Sequence, residues 1–316
     1  MALSSMSRVL LRNYRHLSLS APKGAHNISV ISTSRGMASD ASSYQFETLK
    51  VTTPQENILH VELNRPEKRN AMNMVFFREM KECFTKIAED SDCRVVVLSG
   101  AGKNFTAGLD LMDAATIMAP DGDQDIGRRA EVLRKFIIPL QESNTVIERC
   151  LKPVIAAIHS ACVGGGVDMI TACDIRMCTK DAWFTIKEVD IGIAADLGTL
   201  QRFPKIVGND SLVRELAYTG RALPSEEAKE VGLVSRIFPD KEALMDGAME
   251  LAKVIASKSP VAVQGTKSSL VYSRDHSVND GLDHVRVWNM SMLQSEDMMK
   301  AAMASMQKTD ATFSKL

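Results

Sequence analysis

The chain has 316 residues, 45% of them hydrophobic and 24% charged, a composition that fits a globular protein with ample core and argues against disorder. With 38 basic against 39 acidic side chains and only 5% aromatic residues, it offers neither the basic excess nor the stacking platform that nucleic-acid binding needs. No apolar run approaches the ~20 residues that cross a bilayer, and the six cysteines contain no CxxC pair, so they read as reduced core thiols rather than as metal ligands or disulfides.

In chain order, Met1 to Ser39 lacks any acidic residue while Arg8, Arg12, Arg15, Lys23 and Arg35 are scattered among Ser and Leu. That is the composition of a mitochondrial presequence, with a disordered basic tail as the alternative. "ETLKVTT" and "NILHVELN" follow as two short strands broken at Pro54-Gln55-Glu56. In "FFREMKECFTKIAED" the period changes, and Phe77, Met80, Phe84 and Ile87 form one helical face. "RVVVLSG" reads as a buried strand, and "RRAEVLRKFIIPLQESNTVIERC" as a long helix interrupted or kinked near Pro139. "PVIAAIH" is a strand, "GGGVDMITAC" opens a helix, and "DIRMCT" and "WFTI" return to strand. The rhythm is strand, strand, helix. From about Ser211 the pattern is mainly helical with one strand at "LVSRIF", and Ser314-Lys315-Leu316 spells a peroxisomal address.

Two glycine turns and three acids carry the chemistry. Gly164, Gly165 and Gly166 lie between a strand and a helix start, where amides without intrahelical acceptors favour an anion. "FTAGLDL" supplies a second turn, with the Gly108 to Leu109 amides available to the same space. Neither fits a dinucleotide fingerprint, since Gly164, Gly166 and Met169 fail GxGxxG, and "GAGKNF" fails the phosphate-loop pattern. In "KEVDIGIAAD", Glu188 and Asp196 stand in largely apolar sequence, where an ionised group must be paired, neutralised or used. Bland readings compete: Asp168 as a first-turn helix acid, Asp196 as a cap before "LGTLQRF", Glu188 as a surface partner of Lys187. Arg65, Lys68 and Arg69 suit CoA phosphates or a solvated turn equally. His159 reads as a packed core histidine, His276 and His284 lack a second ligand pattern, and the methionines from Met290 to Met303 read as interface filler.

"NRPEKRNAM", "FTAGLDL", "GGGVD" and "KEVDIGI", in that order and spacing, resemble the enoyl-CoA hydratase/isomerase (crotonase) family over about Phe46 to Lys258. The resemblance implies an α/β fold, a crotonase-like spiral of repeated strand-strand-helix units with a helical C-terminal region. It divides the chain into a presequence and tail at 1–42, a spiral core at 43–250 and a helical oligomerisation region at 251–316. It also implies a fatty acyl-CoA substrate, no separate cofactor because CoA arrives with the substrate, no metal, and trimers or dimers of trimers. By residue matching, the oxyanion-hole amides fall on Leu109 and Gly165, and Ala107, Gly108, Leu109, Asp110, Leu111 and Gly165 line the acyl-CoA site. The two positions that are commonly glutamates in the hydratases are Asp168 and Glu188 here.

The shorter Asp168 and the additional Asp196 depart from the hydratase pattern, and the three acids together resemble the branch that moves a 3,5-diene of an acyl-CoA to the 2,4 position in β-oxidation. A 2-enoyl hydratase, a 3,2-enoyl isomerase and a non-catalytic family member are the alternatives. The chemistry suits two carboxyls, because a proton leaves C2 and another arrives at C6, positions too far apart for one side chain. Matching assigns Glu188 as the C2 base, Asp196 as the C6 donor and Asp168 as the residue that orients one of them. The two addresses predict residence in the mitochondrial matrix and the peroxisome, with import receptors for each terminus.

Overall fold

The computed structural model describes residues 44–113 and 125–316. The presequence expected at 1–42 lies outside the described residues. Strand β1 (Leu49–Gln55) turns at Glu56-Asn57 into antiparallel β2 (Ile58–Leu63), with Asn57 at φ 64° in the left-handed conformation that Asn tolerates. From β2 the main sheet continues in parallel through β3 (Val95–Gly100), β4 (Val154–Ile158), β6 (Ile175–Thr179) and β9 (Arg236–Phe238). A second sheet joins β5 (Ala161–Val163), β7 (Trp183–Thr185) and β8 (Leu223–Pro224). The chain thus lays one strand in each sheet and then a helix: β4, β5, α3 (Gly165–Ala172); then β6, β7, α4 (Thr199–Val207). This is the predicted strand-strand-helix rhythm.

Period-two alternation explains why the main sheet is apolar on both faces. Ile58, Val95, Val97, Ile155, Ala157 and Met177 pack against α7 (Lys241–Ala256) through Leu244, Ala248, Ala252 and Ala256. Their neighbours Leu59, Val61, Val96, Leu98, Ala156 and Ile158 face the larger core. That core is closed by α1 (Met74–Glu89), whose predicted face of Phe77, Met80, Phe84 and Ile87 is buried and whose N-terminus is capped by the Asn73 side chain. All six cysteines are free and buried, as reduced core thiols should be.

Of the two alternatives at Pro139, interruption is overturned. Helix α2 (Ile126–Arg149) is not interrupted at Pro139; it runs as one element through it. A proline removes one hydrogen bond, and the burial of Leu140, Val146 and Ile147 on the core outweighs that loss. Residues 161–163, which the pattern left unassigned, form β5, which is too short to display alternation. The 250/251 boundary falls within α7. After α5 (Asp210–Thr219) and α6 (Ser225–Glu230), the C-terminal part consists of α7, α8 (Pro260–Arg274), α9 (Val278–Met292) and α10 (Glu296–Gln307). Among the described residues, no helix is long and apolar enough to cross a membrane.

Candidate active site

Two loops meet, one following β3 and one following β5. Thr106 is joined to Cys162 in a short parallel bridge, its N–H donating to the Ala161 carbonyl at 3.0 Å and its carbonyl accepting from Val163 at 3.3 Å. The approach is close enough to require glycine. A Cβ on Gly108, whose φ is 83°, would lie 2.8 Å from the Val163 carbonyl oxygen, and one on Gly166 would lie 2.4 Å from the Thr106 methyl.

The engaged amides in these loops identify the free ones. Ala107 N–H donates to the Arg69 carbonyl at 2.9 Å, Gly108 N–H to Thr106 Oγ1 at 3.1 Å and Asp110 N–H to the Met72 carbonyl at 2.9 Å. Leu109 N–H has no acceptor among the described residues. On the other loop Gly164 N–H is tied to the Thr185 carbonyl, and Val167 and Asp168 N–H return to the Gly164 carbonyl. Gly165 N–H, at the first turn of α3, is likewise without an acceptor among the described residues. Two unpaired donors, one from each loop and one at a helix N-terminus, form an environment for developing negative charge.

Beside them opens a cavity of about 290 Å³. Ala107, Gly108, Leu109 and Leu111 line it from one loop, and Val163, Gly164 and Gly165 from the other. The remaining wall is mostly apolar, built from Phe77 on α1, from Leu133, Phe136, Ile137 and Leu140 on α2, and from Ile191 and Ile193. Glu188 and Asp196 are the acidic side chains on this wall. Glu188 sits at the glycine end, its Oε1 3.2 Å from where a Cβ on Gly164 would stand. Asp196 is held from α2, where Gln141 Nε2 donates to its carbonyl at 2.7 Å and Asn144 Nδ2 reaches the Leu197 carbonyl at 3.4 Å.

Asp168 does not touch the cavity. It is 1% exposed, in the first turn of α3, and its Oδ1 accepts the Thr199 N–H at 2.6 Å. Its Oδ2, the Glu188 Oε2 and the Thr199 Oγ1 are all buried without a hydrogen-bond partner among the described residues. Burial pushes the Asp168 carboxyl up to about 6, against the opposing hydrogen bond from the Thr199 N–H. Glu188 is pushed up to about 7, first by burial and then by the charges of Asp168 and Asp196. Burial also raises Asp196, although its side chain remains exposed at the cavity wall.

The other sequence candidates divide clearly. Asp110 points away from the cavity, onto Arg65 at 3.2 Å, and Arg65 also donates to the Ala71 carbonyl. Lys68 and Arg69 are exposed. His159 is buried, its Nε2 3.0 Å from the Gly102 carbonyl and its pKa lowered by burial. Thr199, Gln141 and Asn144 contribute to the site without having been singled out in the sequence. Only the isolated polar letters in an amphipathic helix marked Gln141 and Asn144, and nothing marked Thr199.

Comparison with known proteins gives a consistent result. The family model described as enoyl-CoA hydratase/isomerase matches residues 53–315. The mitochondrial Delta(3,5)-Delta(2,4)-dienoyl-CoA isomerase of Rattus norvegicus is 55% identical over 310 residues, covering 97% of this chain and 94% of the rat protein. The peroxisomal protein of that name from Arabidopsis thaliana is 47% identical over 274 residues, covering 86% of this chain and 98% of its own. Among solved structures, the enoyl-CoA hydratase of Bacillus anthracis superposes with a TM-score of 0.76 at 28% identity, covering 84% of this chain and 99% of that one.

Proposed function

Since the chain belongs to the enoyl-CoA hydratase/isomerase family, we infer that it is an isomerase converting 3,5-dienoyl-CoA to 2,4-dienoyl-CoA in the β-oxidation of unsaturated fatty acids. The observation that carries the reading is the placement of Glu188 and Asp196 on one apolar cavity wall that also presents the free amides of Leu109 and Gly165. The acyl chain lies along the cavity with its thioester oxygen on those two amides. Glu188, at the glycine end, removes the proton from C2, and the electron pair delocalises through the diene onto the thioester oxygen. Asp196, further from the glycine loops, donates a proton to C6 as the C2–C3 and C4–C5 double bonds form.

Physical chemistry suits each carboxyl to its role. A base works best with a pKa near the operating pH, and Glu188 at about 7 is so placed. Asp196 must be protonated when the substrate is bound, and the acyl chain covering its exposed face removes water and raises it further. Between turnovers the open face lets solvent restore its proton. Asp168 sets the field at Glu188 from behind. Each hole amide contributes ~3 to 4 kcal/mol to the transition state if it behaves as such donors usually do.

The C-terminal helices form trimers or dimers of trimers, a reading supported by the exposed apolar side chains of Val287, Met290, Leu293 and Met303. Relatives named for mitochondria and for peroxisomes support residence in both organelles. The function is tested by offering the purified protein 3,5-dienoyl-CoA and 2-enoyl-CoA in parallel. The expected result is a rise in 2,4-dienoyl absorbance with negligible hydration; efficient hydration with no diene shift would refute it.

A further inference from the structure

The Thr106 side chain touches both loops of the hole, through its hydroxyl on one and its methyl on the other. Its hydroxyl donates to the Asn70 carbonyl at 2.7 Å and accepts the Gly108 N–H at 3.1 Å, while its methyl packs where Gly166 has no Cβ. Only a hydroxyl can do both. The carbonyl that it holds is itself immobilised. Asn70 is 2% exposed, adopts a φ of 55°, and its side-chain amide is saturated: Oδ1 accepts Arg65 N–H at 2.9 Å, and Nδ2 donates to the carbonyls of Ala101, Asn104 and Phe105 at 2.8 to 3.0 Å.

The consequence falls on the neighbouring amide. With Gly108 N–H drawn inward onto Thr106 and Gly108 at φ 83°, the next N–H, that of Leu109, is left without an internal acceptor beside the cavity. We propose that Thr106, anchored by Asn70, is a positioning residue for the reaction: its hydroxyl sets which amide of the 106–109 turn points into the oxyanion hole and how far that amide stands from Gly165. The inference rests on Leu109 and Gly165 being the hole. Without the hydroxyl, Gly108 N–H and the Asn70 carbonyl lose their common partner and the turn settles differently. A small displacement of a hole donor affects turnover far more than binding, because the donor is tightest on the dienolate.

The test pairs steady-state kinetics of the full-length enzyme with the infrared carbonyl stretch of bound 2,4-dienoyl-CoA carrying a carbon-13 thioester. Thr106→Val should lower kcat by about 10- to 100-fold with KM little changed, and should return the carbonyl frequency toward its value in water. Thr106→Ser should keep kcat within about 2-fold and the wild-type frequency, since it keeps the hydroxyl. Wild-type kcat and frequency in Thr106→Val, or equal loss in Thr106→Ser, would overturn the proposal, the latter by assigning the effect to the methyl. A wild-type complex showing no lowered carbonyl frequency would instead remove the hole itself. If Thr106→Val does not fold, Thr106→Ser and Thr106→Cys carry the test: kcat must fall from Ser to Cys, and equal values overturn the idea.

Discussion

The glycine loops and the acids of this site are built on opposite principles. Around the glycine loops nearly every polar group is satisfied, down to the four hydrogen bonds of the Asn70 side chain, and the Leu109 and Gly165 amides are free because their neighbours are engaged. Around the acids the opposite holds, with Asp168 Oδ2, Glu188 Oε2 and Thr199 Oγ1 buried and unpartnered. A saturated network holds a fixed field that does not titrate, which suits stabilising charge on an oxygen. Unsatisfied buried carboxyls raise their own pKa values into the working range, which suits moving protons.

Substitutions in the loops and in the acids should therefore fail differently. The largest loss is expected at Asp196→Asn, where kcat should fall by ~10³ to 10⁴ while acyl-CoA affinity, measured by calorimetry, stays near wild type. Wild-type turnover would remove Asp196 from the chemistry. In the saturated loops, Gly108→Ala forces a Cβ against the Val163 carbonyl from a positive φ. Its kcat should fall by about 10²-fold, and by the same factor at every pH, because the displaced groups are backbone amides that do not titrate. A pH-dependent loss would show that the loops and the acids are not separate.

Asp168→Asn should give smaller and more diagnostic changes. The profile of kcat/KM should rise with pH through about 7 in the wild type as Glu188 ionises. Removing the Asp168 charge relieves Glu188, so this limb should move to lower pH. The same variant should alter stability. Asp168 is pushed up to about 6 from an ordinary 3.8, so its contribution to stability is fully present below about 4 and is lost as pH rises through 6. Denaturant titration should find Asp168→Asn gaining about 1 to 3 kcal/mol more, relative to wild type, at pH 8 than at pH 4. No gain would mean that the buried carboxylate is better compensated than its orphaned Oδ2 implies.

Much of this was legible in the sequence, for identifiable reasons. Glycines forced by close approach and acids stranded among Ile, Val and Ala are signals carried by residue type, and the structure gathers both at one cavity. The α1 face and the strand-strand-helix rhythm were equally readable from period. What was not readable depends on distant pairing. Thr199 meets Asp168 across 31 positions and Thr106 meets Asn70 across 36, and no local pattern announces either. Asp110 sat in a pocket motif yet faces Arg65, because motif membership does not fix which way a side chain points. Pro139 suggested a break, but tertiary packing of α2 overrode local propensity.

The division of labour between the acids is tested most directly by following 3,5-dienoyl-CoA in deuterium oxide with each variant. Asp196→Asn should go on exchanging the C2 hydrogen while forming almost no 2,4-diene, and Glu188→Gln should do neither. Exchange that persists in Glu188→Gln and vanishes in Asp196→Asn would contradict the account and reverse the two roles.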